Sequence, residues 1–495
     1  MYQGAKQSRL TTGFGVSNTS ADAELASSLT ALRSRSRQLV RDASYAKRAR
    51  TIVTNNVIGS GVGMQAQVKS VRGTLAEAVN DSIESAWEEW TYAEYCHSGG
   101  KLCFADFERA AMGQIFEAGE VIIRVHNRSF GGSKVPIGLE LIESERLADE
   151  FSQIGADTPN NIRMGVEVDN FFRPVAYWIR QMHPGDIRGY VGESMKYERV
   201  PADEIYHLYI IDRWPQTRGV PWMHTAVLRM RDMDGYSEAE ITAARGAANF
   251  SGTIETDDML DPQGEVQEDG QDQITIEPGV FRKMAPGEKM NWLTPNRPNT
   301  ALDPFMRYML REIAAGVGVS YESISRDYSQ SNYSSSRLAL LDDRDLWKVL
   351  QLWWIRNFRK PFHTRWLGMA VMSQAIQGIT ISAFATDMNR YSAVLFKPRG
   401  WSWIDPTKEV EAYTMAIKAG LTTRTDVIAG TADGRDIEDI DETRERELAA
   451  SKARGLVFDT DPEVFAPPEP AQPEPEPDET EDEPATEEAR LRVVG

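Results

Sequence analysis

Little in this sequence supports covalent or metal chemistry. Of its 495 residues only two are cysteines, Cys96 and Cys103, and six are histidines. A secreted chain of this length would more often carry several cysteine pairs, so the count argues for a reducing compartment. No run of about 18 uninterrupted apolar residues occurs, which speaks against a transmembrane helix and for a partner list without a membrane. The first 20 residues are polar and rich in glycine, serine and threonine, without the apolar core of a secretory signal. The expectation is a protein made in a cytoplasm.

Catalytic signatures are also missing. A phosphate-cradling P-loop needs a glycine five positions before its Gly-Lys-Ser/Thr. The nearest string, Gly99-Gly100-Lys101-Leu102, has Tyr95 in that place and lacks the hydroxyl. There is no Gly-x-Ser-x-Gly elbow, no His-Glu-x-x-His zinc motif and no EF-hand loop. Cys96-His97 with Cys103 has the wrong spacing for a zinc finger and no second ligand pair nearby, so it reads as a turn with part-buried thiols. The acids Asp257-Asp258 and Asp342-Asp343-Asp345 have the residue type of a two-metal nuclease site. The second group falls on a predicted helix, where alternating charges form a solvated face. No catalytic residue, metal or cofactor is expected.

What the chain does have is acid, unevenly placed. The net charge is −19, of which residues 459–495 contribute −11 through 13 acids and two arginines among eight prolines. So few apolar groups cannot offset the entropy of ordering, and this tail is expected to be disordered. An acidic balance argues against a protein that grips nucleic acid through clustered cations. It is compatible with a surface that DNA slides past, because a negative lining repels phosphates and avoids contacts that would stall movement.

Residues 1–30 are expected as a flexible arm. A basic helical segment follows over residues 31–50, open to DNA, RNA or an acidic partner, ending near Asn55-Asn56 and the glycine-rich turn at 59–63. Periodicity predicts a helix over 75–95 with Ala78, Ile83, Ala86, Trp87 and Trp90 on one face. Strands are predicted at 120–125, 137–142, 163–168, 174–180 and 204–211. Beyond 222 the texture turns helical up to Phe250, with Ala243, Ala244, Ala247 and Ala248 at a spacing that lets neighbouring helices approach closely. Residues 255–277 then carry nine acids and no lysine or arginine, with short strands expected at 273–277 and 279–284. A second helix is predicted from Asp303-Pro304, an N-cap followed by proline, with Phe305, Met309 and Ile313 as its apolar face, up to Gly316-Val317-Gly318.

A polar loop is expected at 325–336, then a helix over 337–358 with Trp347, Leu350, Trp354 and Phe358 buried. Its basic-aromatic end, residues 353–363, reads either as a nucleic-acid surface or as a core helix with a cationic C-terminus stopped by Pro361. Residues 405–455 read as helical, with breaks near Gly420 and at 430–434. The fold class is α+β.

Four strings, in order, resemble the lambda-type phage portal family of head-to-tail connectors. They are Arg35-Ser-Arg-Gln-Leu-Val-Arg-Asp42 with Asn55-Asn-Val-Ile-Gly-Ser-Gly-Val-Gly63; His207-Leu-Tyr-Ile-Ile-Asp-Arg-Trp-Pro-Gln-Thr-Arg-Gly-Val-Pro-Trp222; residues 316–337 around Ser320-Tyr-Glu-Ser-Ile-Ser325; and Pro398-Arg-Gly-Trp-Ser-Trp-Ile-Asp-Pro-Thr-Lys-Glu409. The resemblance spans roughly residues 30–455 and excludes the acidic tail. It implies a portal fold assembled as a ring of about twelve subunits around a DNA channel, with a strand-containing wing (31–220), stem helices (221–250 and 301–318), a small α/β clip (251–300), a channel loop and return to the wing (319–405), a helical crown (406–456) and the tail (457–495).

The same resemblance implies the partners: double-stranded DNA in transit without sequence specificity, the terminase large subunit, a head-tail adaptor, and the major capsid and scaffolding proteins. The acidic clip surface of Glu255, Asp257, Asp258, Asp261, Glu265, Glu268 and Asp269 would meet motor and adaptor. The alanines at 243, 244, 247 and 248 would pack the stem in the ring. Asn332, Tyr333, Ser334 and Ser335 are candidates for a channel loop; the competing reading is a cap for the following helix. Other functions kept open are a minor capsid protein, or a head-maturation nuclease or protease, which would be marked by metal-dependent cleavage lost on changing Asp257 and Asp258.

Overall fold

The computed structural model describes residues 18–70, 73–155, 159–186, 196–249, 252–256, 288–292, 301–330, 332–401, 406–431 and 437–458, with Arg9 and Gly15. Helix α1 (Ala21–Asp42) starts ten residues ahead of the expected segment. Ser20 is its reason: the hydroxyl accepts from the Ala23 amide, and Asp22 and Glu24 in the first turn suit the positive helix end. Residues 21–30, expected as arm, are thus helix, with Leu25 and Leu29 buried at the spacing of one face. Ala43 breaks the helix in extended conformation before α2 (Ser44–Val57).

Strand β1 (Gly63–Ala66) precedes α3 (Glu77–Trp90), which buries Ile83, Trp87 and Trp90, and the single turn α4 (Ala93–Cys96). Ala78, expected on the buried face, is exposed. Helix α5 (Phe104–Ala118) ends at Gly119, whose φ of 88° is the left-handed cap that glycine adopts freely. A Cβ there would sit 2.3 Å from the Val220 carbonyl carbon, so glycine also allows two backbone segments to touch.

Seven strands follow: β2 (Glu120–His126), β3 (Gly138–Ile142), β4 (Asn161–Arg163), β5 (Val166–Val168), β6 (Pro174–Arg180), β7 (Tyr197–Pro201) and β8 (Ile205–Tyr209). They form a three-stranded antiparallel sheet in the order β3-β2-β8 and a four-stranded meander β4-β5-β6-β7. The single strand expected over 163–168 is instead the inside of a hairpin. Met164 and Gly165 take positive φ (45° and 82°) and turn the chain between β4 and β5. Ile122, Ile142, Val166, Tyr177, Ile179 and Val200 form a small core shared by the two sheets.

Helix α6 (Val227–Asn249) leads to β9 (Gly252–Thr256), which pairs antiparallel with β10 (Glu288–Trp292) before α7 (Leu302–Val317). The α7 cap is Ala301, without a side-chain bond, so Asp303 and Pro304 lie inside the first turn instead of starting it; Phe305 is exposed, whereas Met309 and Ile313 are buried. After α8 (Tyr321–Ser325), α9 (Tyr333–Trp354) runs into a π turn (Ile355–Arg359) and on through α10 (Lys360–Met372). Pro361 does not stop this helix. The wider π turn resets the hydrogen bonding, so proline falls in the first turn of α10, where its missing N–H has no helical partner to lose.

Short helices α11 (Ile381–Thr386) and α12 (Met388–Tyr391) precede β11 (Val394–Lys397), which pairs with β1 and ties the return segment to the beginning of the fold. The larger core joins α2, α3, α5, α9 and α10 through Val53, Trp90, Phe107, Trp354, Phe362 and Trp366. Helices α13 (Pro406–Lys418) and α14 (Arg424–Thr431) end this unit, and α15 (Ile437–Arg454) belongs to a second unit that starts at Asp436. The chain is α+β, as expected.

Candidate channel and interaction surfaces

The central structural question is what fixes the root of α6. Just before it, Arg218 and His207 enter a cluster around Glu120, the first residue of β2, in which Glu120 and Arg218 are fully buried and Asp149 is part-buried. The Arg218 Nε donates to both Glu120 oxygens at 3.0 Å, its Nη1 to Asp149 at 2.6 Å and to the Met164 carbonyl at 2.8 Å. The Gly219 amide and the His207 ring nitrogen each meet Glu120 Oε2 at 2.9 Å. Arg33 of α1 closes the cluster by pairing with Asp149 and lying 3.8 Å from Glu120. Burial pushes the Glu120 carboxyl up, but the Arg218 guanidinium and the hydrogen bonds from His207 and Arg218 outweigh it and hold it well below the usual carboxylate range. One carboxylate thereby locks α1, both sheets and the strand of chain entering α6.

From that root, α6 and α7 pack as an antiparallel hairpin. Thr225 Oγ1 donates to the Gly316 carbonyl at 2.9 Å, Arg229 meets Glu312 at 2.9 Å, and Tyr236 packs at a tilt against Phe305 with centroids 4.8 Å apart. Met230, Met233, Met309 and Ile313 are all buried in the larger core. Beyond Met233 no described side chain of α6 is buried, up to Arg245. Ala243 and Ala244 are exposed in this half, while Ala247 and Ala248 lie in its last turns.

Between the two helices the described backbone is the β9–β10 ladder, where Glu255 stands opposite Lys289. The other acids named for this region, Asp257, Asp258, Asp261, Glu265, Glu268 and Asp269, and the expected strands at 273–277 and 279–284, lie outside the described residues. The β9–β10 pair itself was not anticipated.

Asn332 is the N-cap of α9. Its side chain accepts from the Ser335 amide at 2.8 Å while the Ser335 hydroxyl takes part in a reciprocal capping box. Tyr333, Ser334 and Ser335 form the first turn, with Ser334 and Ser335 exposed. The helix therefore begins four residues before the expected Arg337, and the geometry is that of the capping alternative.

About two turns further along α9, Asp343 is buried. It accepts from the Ser320 amide at 2.9 Å and from the Ser320 and Ser323 hydroxyls at 2.7 and 2.8 Å. It is not part of a solvated face, and its neighbours Asp342 and Asp345 are exposed and apart from it. In the basic-aromatic stretch, Trp354, Phe358, Phe362, Arg359 and His363 are buried, so the core reading describes it. Arg359 lies over Trp87, Phe104 and Phe396 and 3.5 Å from the buried Glu108, which also accepts from Trp354 Nε1 at 2.9 Å.

Part of the basic segment of α1 and α2 finds its acids within the chain, while Arg35 and Lys47 are exposed. Arg37 pairs with Glu145 and Glu117, and Arg50 with Glu117. Cys96 is buried, which pushes its thiol up to about 12, and Cys103 donates to Asp106 at 3.2 Å. No group of three or more potential metal ligands occurs among the described residues, nor any helix long and apolar enough to cross a membrane.

The Glu120–Arg218 hub was not singled out from sequence, although His207 and Arg218 both lie in one quoted string. The available signal was a lone acid opening an otherwise apolar strand, Glu120-Val-Ile-Ile, which has no place in a core without a cation.

An α+β body that fixes the root of a two-helix hairpin is the framework of a structural subunit. The profile of phage portal proteins of the lambda family matches residues 7–351, and the chain belongs to that family. It is 28% identical over 465 residues to the probable portal protein of Halomonas phage phiHAP-1, covering 92% of this chain and 87% of that one. It is 22% identical over 475 residues to portal protein B of Escherichia phage lambda, covering 88% and 87%. Among solved structures, the neck of an empty gene transfer agent particle aligns at TM-score 0.43 and 15% identity, over 80% of this chain and 94% of that one. An HK97-family phage portal protein from Corynebacterium diphtheriae aligns at 0.31 and 16%, over 63% and 85%.

Proposed function

We propose that this portal protein assembles as a ring of about twelve copies at one capsid vertex, forming the channel that passes double-stranded DNA during packaging and ejection. In this reading the α6–α7 hairpin is the stem, the excursion between the helices is the clip that docks the terminase large subunit and later the head-tail adaptor, and the remainder is wing and crown in contact with the major capsid and scaffolding proteins. The chain supplies a conduit and no catalysis. Assembly takes place in the host cytoplasm.

The observation that carries the ring is the far half of α6. A helix segment with no buried side chain over 234–245 is marginal in water by itself. Its exposed Ile241, Ala243 and Ala244 offer the small and apolar contacts that an adjacent copy would cover. A heterologous contact of this kind, repeated with closure, makes a ring.

Particle imaging of the purified full chain tests it: rings of about twelve subunits are expected, and a chain that stays monomeric under all conditions refutes it. Deleting residues 255–277 should leave shells assembled without packaged DNA. Packaging that survives the deletion removes the clip assignment.

A further inference from the structure

The structure contains an apolar groove that the portal reading does not use. It encloses about 660 Å³ between the β5–β6 hairpin, β8 and the loop after it, lined by Phe171, Tyr177, Tyr209, Trp214, Gln216 and Trp353 among others. Its rim is conspicuously apolar: Phe171 is 78% exposed, Trp214 65% and Ile211 50%. Contiguous apolar surface of this kind marks a site that something covers.

The lip of this groove also holds the start of α1. Arg213, next to Trp214, donates to the Thr19 carbonyl at 2.7 Å and pairs with Glu24 at 3.3 Å. Asp22 accepts from the Thr217 amide and hydroxyl at 2.8 and 2.7 Å and meets Arg163 at 3.2 Å. The Arg163 guanidinium lies over Phe172, which in turn packs edge-on against Trp214. The residues upstream of Thr19 therefore leave the fold at the groove mouth. Between Leu10 and Ala21 they carry no charge and include Leu10, Phe14 and Val16. At about 3.3 Å per residue, Phe14 reaches no more than roughly 17 Å from Thr19, enough to enter the groove but not to search the molecule.

We propose that the N-terminal segment, residues 1–17, docks into this groove of its own chain as an apolar latch, with Phe14 and Val16 as the inserted side chains. A short tether raises the effective concentration of the segment at the site, so a weak apolar contact suffices to fill it. The proposal does not depend on the ring reading.

The test uses the full chain with a photoreactive benzoylphenylalanine at position 14. Irradiation should cross-link it to peptides spanning 169–177 or 207–217. In a mixture of isotopically light and heavy chains the cross-links should be light–light and heavy–heavy. Mixed pairs, which would mean a second copy's arm, or cross-links confined to other regions, overturn the proposal. As a second readout, Leu10→Ser/Phe14→Ser/Val16→Ser should make Trp214 and Phe171 severalfold more reactive in hydroxyl-radical footprinting; unchanged reactivity also overturns it.

Discussion

Replacing Arg218 by methionine tests whether the buried cluster holds the fold together at the root of α6. Methionine keeps most of the side-chain length and removes the charge. Glu120 would then lose its bidentate partner and keep only the His207 ring, the Gly219 amide and an Arg33 guanidinium 3.8 Å away. Two backbone carbonyls, of Met164 and Ser144, would lose their donor as well. Breaking a fully buried pair from one side costs about 3–5 kcal/mol, because the remaining charge stays desolvated. The surviving His207 and amide contacts put the expectation at the lower end, about 3 kcal/mol. In a chain of this length global unfolding is not two-state, so the assay is hydrogen exchange at the amides of β2 and β8, which reports local opening free energy.

The pH dependence makes this prediction specific. In the native protein Glu120 sits below its ordinary pKa, so its contribution is present above the unfolded value and is lost as pH falls past it. Without Arg218 the effect of burial dominates and the carboxyl rises above its unfolded value, so the variant regains stability as Glu120 takes up a proton. The gap between the two proteins should therefore narrow from pH 7 towards about 4.5. Glu120→Gln/Arg218→Met should recover part of the loss, with a coupling of about 1–3 kcal/mol. A loss below about 1 kcal/mol, or a gap that does not change with pH, refutes the reasoning.

Two further outcomes follow from single residues. His363 is buried among Trp87, Trp366 and Phe396, and burial with Arg359 nearby lowers its pKa to about 3; the unfolded chain gains a proton below about pH 6.5 that the native chain cannot, so stability should fall by about 1.4 kcal/mol per pH unit between those values. His363→Leu should remove that contribution from the pH dependence of the opening free energy read by hydrogen exchange at the α10 amides, and an unchanged slope would sink the assignment. Asn332→Ala removes the α9 cap and should cost about 1 kcal/mol, seen as faster exchange at the Ser335 and Ser336 amides with the rest of α9 unaffected; loss of protection along the whole helix would show a larger role.

Much of the helical fold was legible because its signals are local. The stripe Trp347, Leu350, Trp354 and Phe358 is buried as its spacing predicts, and the pattern at 120–125 and 174–180 gives β2 and β6. The readings that missed depend on events outside the window. Pro361 is a stop signal in any local scheme and only a π turn five residues long makes it harmless. Residues 163–168 alternate like one strand, yet Met164 and Gly165 turn because β4 and β5 pair with each other. Strand β11 has four residues and is stable only on β1, more than 300 positions earlier, which no local pattern can announce.

The same distinction explains why the candidate site was only half visible. The hub needs Arg33, Glu120, Asp149, His207 and Arg218 to converge from five separate segments, and apart from Glu120, a lone acid opening an apolar strand, each of them looks like an ordinary surface polar residue in sequence. Arg33 lies in the basic segment 31–50, whose composition alone leaves it open to an outside partner. Its partner proved to be the chain itself. Each of those pairings uses one acid for one cation, so the net charge of residues 1–458 is unchanged, while the paired arginines are no longer free to meet an anion outside the chain. Charges used to fix the root of α6 are therefore not available to a partner outside the chain.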